Sequence, residues 1–134
     1  MLRFATALSA SSFGLQLYKV IIVENTELRA QLQPASWGQT QIVDASHLIV
    51  FANQTTVNES DVDSYINNVA TTRNLPVDAL TGYADYMKGA VSNMSEEVKP
   101  IWTSKQTYIA LTNLLNAAAE LKIDVTPMEG FVPA

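Results

Sequence analysis

The sequence predicts a helix-dominated fold carrying a minimal sheet, with five or six helices and only two strands. Three observations carry that reading. Apolar residues recur at helical spacing in the second half, as in Val62, Tyr65, Ile66 and Val69. Two short runs, Tyr18 to Val23 and Leu48 to Ala52, have the length and the β-branched content of buried strands. Tyr108 to Ala119 is apolar on nearly every face, the pattern of a helix surrounded by protein. Two strands do not make a self-sufficient sheet. Either they pair with each other beneath the helices, or they require strands from elsewhere.

The elements follow in order. Leu2 to Leu8 fits about two turns of helix, and Ser9 to Gly14 is a small, polar loop ahead of the first strand. Asn25 is placed to cap a helix with Glu27 in its first turn and Leu28 and Leu32 on one face, ended by Pro34. Trp37-Gly38-Gln39 is a turn, and Gln41 to Ser46 a short helix feeding the second strand. Asn58 or Ser60 caps the next helix. Another begins near Pro76, with Leu80, Tyr83, Ala84, Met87 and Val91 as its inner face. Ser92 to Lys99 is a loop or frayed turn. Pro100 then opens one long helix to about Lys122, expected to be the most buried element, because a proline in the first turn loses no helical hydrogen bond. A short extended segment follows and ends in the Pro/Gly corner VTPMEGF.

Composition bounds the chemistry. With 134 residues, 48% apolar and 16% charged, residues 1–134 make one globular domain with a real core. A net charge of −5 argues against a general nucleic-acid binder, which needs cations to displace phosphate counterions. The absence of cysteine excludes a disulfide framework, thiolate catalysis and Cys-ligated metal, and one histidine disfavours metal clusters and Ser/His machinery. Met1 to Ala7 is too short for a signal peptide and no apolar run reaches membrane-spanning length, so the expected location is the cytoplasm with no membrane partner.

One polar line marks the long helix. Gln106, Asn113, Asn116 and Glu120 share a face. That face is either the wettest side of a core helix, or it meets a polar cofactor or a second subunit. Asp44 and His47 fall on one turn of a short helix, where His47 reads as a structural histidine beside a strand. Trp37 and Trp102 read as core or interface aromatics, and Glu96 and Glu97 as dipole-favoured residues at a helix start.

Four stretches together resemble the nitroreductase family, the FMN-dependent NAD(P)H oxidoreductases. They are Ser11 to Gln16, then Trp37-Gly38-Gln39 with Asp44 to His47, then Gln106 to Leu111, and finally Pro127 to Phe131. The resemblance runs from Ser9 to Phe131 and corresponds to the middle of the family domain, without the flanking segments that grip the flavin phosphate. It implies an α+β fold, helices packed around a small, mainly antiparallel sheet, in a homodimer with FMN at the subunit interface. By position, it implies that Ala10, Ser11, Ser12 and Gly14 form the loop one subunit lends to its partner's flavin. Gly38 and Gln41 fall at contacts to the ring edge and ribityl chain, Gln106 at a contact from the long helix. Glu129 and Gly130 fall at the corner whose backbone amides meet the ring near N5. Gln41 stands where relatives often have lysine, and a neutral amide there stabilises reduced anionic flavin less.

The implied activity is electron transfer from NAD(P)H through FMN to a small-molecule acceptor, a nitroaromatic or a quinone, by ping-pong hydride transfer. The protein needs donors where negative charge develops on the ring, and no nucleophile or base of its own. The alternatives are a shortened, non-catalytic nitroreductase-like domain and a helical interaction module of similar patterning. Loose FMN binding is expected in the first case, since no matched arginine or lysine faces the phosphate.

Overall fold

The computed structural model describes residues 2–132. Its elements are α1 (Leu2–Ala7), β1 (Tyr18–Val23), α2 (Thr26–Ala35), α3 (Gln41–Asp44), β2 (Leu48–Asn53), α4 (Glu59–Arg73), α5 (Thr81–Ser92) and α6 (Val98–Glu120). The two strands pair with each other, antiparallel, from Tyr18 opposite Asn53 to Val23 opposite Leu48. Alternation along the strands places Tyr18, Val20 and Ile22 on one face with Ile49, Phe51 and Asn53. That face lies over α6. Asn53 Nδ2 donates to the Pro100 carbonyl at 3.2 Å and to Thr103 Oγ1 at 3.0 Å. Thr103 in turn donates to the Gln54 carbonyl at 2.6 Å, which satisfies a hydroxyl that is completely buried.

The apolar core sits beside the sheet. Val62 and Ile66 of α4 interlock with Ala84, Met87 and Val91 of α5, closed by Leu17 and Val57 and flanked by Phe13, Leu15 and Trp102. Helix ends follow the expected chemistry. Asn25 Oδ1 accepts from the Leu28 N–H at 2.8 Å. The Asn58 N–H donates to Asp61 Oδ2 at 2.8 Å, and Asn74, in the left-handed region at φ 52, stops α4. Among the described residues, no helix is long and apolar enough to cross a membrane.

Several expectations are corrected. The long helix starts at Val98, so Pro100 is its third residue, still within the first turn, where its missing N–H costs no helical hydrogen bond. It holds more buried residues than any other element, as expected, but it is not buried on every face. Its buried residues are Lys99, Thr103, Gln106, Ala110, Leu114 and Ala118, one stripe of mostly small or polar side chains. Tyr108 is 52% exposed and Ile109 41%, because sheet, α1 and core cover only one side of the helix. The main apolar cluster lies on α4 and α5. Pro34 lies inside the last turn of α2, which ends one residue later at Ala35, and α3 ends at Asp44 rather than Ser46. The helix near Pro76 divides into a 3-10 turn, Val77–Leu80, and α5. On α2 the buried residue is Arg29, while Leu28 is exposed.

Candidate functional site

The predicted site residues fall into two clusters, each joining segments distant in sequence. The first joins the loop between α1 and β1 to α6. The Ser12 N–H donates to Gln106 Oε1 at 2.8 Å, and Gln106 Nε2 donates to the Trp102 carbonyl at 3.0 Å. Gln106 is buried and engaged at both ends. Two turns along the same polar line, Asn113 Nδ2 donates to Ser9 Oγ at 2.9 Å. The first half of the amide line therefore faces the loop of its own chain, while Asn116 and Glu120 stay exposed.

Within the loop the backbone turns sharply. Phe13, Gly14 and Gln16 have φ of 56°, 75° and 48°. The Gln16 N–H donates to Ser11 Oγ at 2.8 Å, and its side-chain amide reaches the Ala7 and Ser9 carbonyls. Gly14 is required sterically as well as by its φ, since a Cβ there would lie 2.8 Å from the Tyr65 hydroxyl. Ala10 is exposed, and Ser12 Oγ makes no hydrogen bond among the described residues.

The second cluster joins the turn between α2 and α3 to the C-terminal corner. Gln39 Nε2 donates to the Gly130 carbonyl at 3.0 Å and to the Ser36 carbonyl at 3.1 Å. The Val132 N–H donates to the Ala35 carbonyl at 2.8 Å. The corner is also tied to α6, where the Tyr108 hydroxyl donates to Glu129 Oε1. That bond, followed by partial desolvation and the charge of Glu129, raises the Tyr108 phenol above its ordinary value. Gly38, at φ 71, faces open space where a side chain would otherwise stand, and Gln41 is exposed with its amide unengaged among the described residues. Trp37 is 70% exposed, so it is no core aromatic.

Arg29 holds this second region from beneath. Its guanidinium donates to the carbonyls of Ile42, Ala45 and Ser46 around the end of α3, where the helix dipole favours a cation. It is buried, with its Nε and both terminal nitrogens bonded in this way, so its charge is committed to this turn. His47, exposed, sits 3.1 Å from Ser46 Oγ, beside β2 as expected. Glu96 pairs with buried Lys99 at 2.5 Å and Glu97 stands at the N-cap of α6. A separate groove of about 730 Å³ runs between α1, the sheet and the end of α6, lined by Phe4, Tyr18, Val20, Ile49, Leu121 and Ile123 among others. None of the predicted site residues lines it. The Tyr18 hydroxyl is buried there without a hydrogen-bond partner, and burial raises its phenol.

Sequence reasoning did not single out Gln39, Tyr108 or Arg29. Gln39 and Tyr108 lay inside the motifs quoted above, but their roles require contacts with residues 91 and 21 positions away. Arg29 had no local signal, because an arginine on an amphipathic helix ordinarily faces water.

These features agree with what the chain is similar to. The Nitroreductase family profile matches residues 1–133. YfkO of Bacillus subtilis (strain 168), which bears a provisional NAD(P)H nitroreductase name, is 35% identical over 131 residues, covering 92% of this chain and 59% of that protein. SERP2086 of Staphylococcus epidermidis, with the same kind of provisional name, is 37% identical over 128 residues, covering 92% and 58%. The chain thus spans about three fifths of the length of the relatives it matches. Among solved structures, ydfN of Bacillus subtilis, provisionally a nitroreductase, superposes with a TM-score of 0.86 at 19% identity, over 97% of this chain and 62% of that one. A protein of Exiguobacterium sibiricum, also provisionally a nitroreductase and solved in complex with FMN, superposes with a TM-score of 0.79 at 19% identity and the same coverage. The fold is therefore the α+β nitroreductase fold, and the chain belongs to the nitroreductase family.

Proposed function

We propose that this chain is an FMN-dependent oxidoreductase, or the matching part of one, that passes electrons from NAD(P)H to nitroaromatic or quinone acceptors. One observation carries the reading. The four segments singled out for flavin contact fold into two hydrogen-bonded clusters, and the left-handed backbone concentrates there. Of the seven described residues with positive φ, Phe13, Gly14, Gln16, Trp37 and Gly38 lie in these two segments; Trp37 also closes α2, as Asn74 and Lys122 close α4 and α6. Backbone strain of this kind costs about 1–3 kcal/mol per non-glycine residue and gathers at binding sites.

The donor set fits a neutral, hydrogen-bond-accepting ring. When bound, FMN takes hydride from the nicotinamide and returns the electrons to the acceptor in a second half-reaction. The chain's own residues bind and orient. The Ser11 and Ser12 hydroxyls and the loop backbone offer donors to the ribityl chain and ring. Gln41 offers an uncharged amide, and the Glu129 and Gly130 N–H groups, unpartnered among the described residues, are available near N5. Exposed Ile101, Tyr108 and Ile109 on α6 support a homodimer in which loop and corner come from different subunits.

Fluorescence quenching of FMN and riboflavin tests this. We expect micromolar binding and nearly equal affinity, since no cation in the two clusters is free for the phosphate and charge-assisted hydrogen bonds are roughly twice as strong as neutral ones. Nanomolar FMN with a large preference over riboflavin would reveal a phosphate site outside these residues. No quenching by either flavin would favour a non-catalytic role.

A further inference from the structure

We infer that Gln39 is the positioning residue of the Glu129–Gly130 corner, clamping it together with the Trp37 ring; the inference rests on reading that corner as the flavin contact. Both amide protons of Gln39 are committed, one to the end of α2 through Ser36 and one to Gly130, so the side chain acts as a strut. It fixes the Gly130 carbonyl, and with it the plane of the peptide linking Gly130 to Phe131.

Trp37 completes the clamp. A Cβ on residue 130 would lie 2.9 Å from Trp37 Cε3 and 3.1 Å from Gln39 Nε2, so this pair occupies the space that any other residue's side chain would need. The φ of Gly130 is not in the left-handed region, so close approach rather than backbone freedom requires glycine there. Trp37 itself is held at φ 55, an outlier for so bulky a residue. That conformation closes the end of α2, where the Gly38 N–H donates to the Gln33 carbonyl at 3.0 Å, and it leaves the ring against the corner. Just before the clamped carbonyl stand the two N–H groups that have no partner among the described residues, those of Glu129 and Gly130. Gln39 thus holds by its carbonyl the corner whose amides are offered outward.

Amide hydrogen exchange on the flavin-free protein tests the clamp directly. Gln39→Ala is expected to speed exchange of the hydrogen-bonded Phe131 and Val132 amides about tenfold while protection of α4 and α5 is unchanged. Gln39→Glu should do the same, since it sets an acceptor against two carbonyls, and Gln39→Asn, which keeps both donors, should restore part of the protection. The midpoint potential of bound FMN then separates positioning from mere folding. Two mis-set N–H dipoles should weaken the hold on reduced relative to oxidised flavin about tenfold, a fall of about 30 mV for this two-electron couple. Unchanged exchange at Phe131 and Val132 in Gln39→Ala would overturn the clamp. Faster exchange with an unchanged potential would overturn the positioning role. Should the unsubstituted protein bind no flavin, the functional reading falls, while the exchange result still decides the clamp.

Discussion

The two clusters reach left-handed backbone by different means. The loop between α1 and β1 is wedged into the core. Phe13, Leu15 and Leu17 pack against α4 and α5, the Phe13 ring meets Trp102 edge-on with centroids 6.4 Å apart, and Gly14 abuts Tyr65. The turn at Trp37 and the corner at Gly130 lie at the surface and are held almost wholly by hydrogen bonds. In the first cluster packing imposes the conformation, so binding geometry and stability are inseparable. In the second, geometry can be lost with little loss of stability.

The largest effect should come from the core on which the first cluster leans. Met87→Ala empties a site of zero exposure, and we expect a loss of about 2–5 kcal/mol by urea denaturation. Next, Gly14→Ala forces a side chain into the left-handed region and against the Tyr65 hydroxyl, for an expected loss of about 1–3 kcal/mol. Tyr65→Phe removes the nearest atom and should recover part of it. Additive losses in the double mutant would show that Tyr65 is not the obstacle. Gln106→Ala orphans the Ser12 N–H and should cost about 1–3 kcal/mol. Against these, Gln39→Ala at the second cluster should change unfolding stability by about 0.5 kcal/mol or less, as surface substitutions do. A loss as large as that of Gln106→Ala would erase the distinction between the clusters.

How much was legible in the sequence follows the same division. Periodicity located α4 and α5 with their inner faces, since Ala84, Met87 and Val91 recur at helical spacing and no long-range fact is needed. The caps at Asn25 and Asn58 were equally local. The long helix was located within two residues and holds the most buried residues, but its burial on every face was misread. An apolar run reports what a helix can cover, and in this chain the face bearing Tyr108 and Ile109 is left uncovered. Residue types at the site were readable through motif resemblance. Their pairing was not, because Gln39 meets Gly130, and Gln106 meets Ser12, only through the folded topology. Arg29 shows the limit most plainly, since three carbonyls that bury its charge come from a different helix end.

The smallest predicted effect concerns the second cluster's tie to α6, where Tyr108 donates to Glu129. The chain has five tyrosines, and two of them are raised for different reasons. Tyr18 is raised by burial alone, whereas for Tyr108 the Glu129 hydrogen bond is the first cause. The neutral phenol is the form that donates, so the contact is fully present below the ordinary tyrosine value of about 10. It is lost as pH rises through the higher folded value. Both partners of this contact are exposed, so salt should weaken it and its effect on stability should be slight. Near-ultraviolet titration should therefore show two late tyrosines in the unsubstituted protein. Glu129→Gln should bring one of them down and leave the other, and Tyr108→Phe should remove that same one. If Glu129→Gln leaves both tyrosines late, the corner is not tied to α6, and the hold on it reduces to Gln39, Trp37 and the Val132–Ala35 bond.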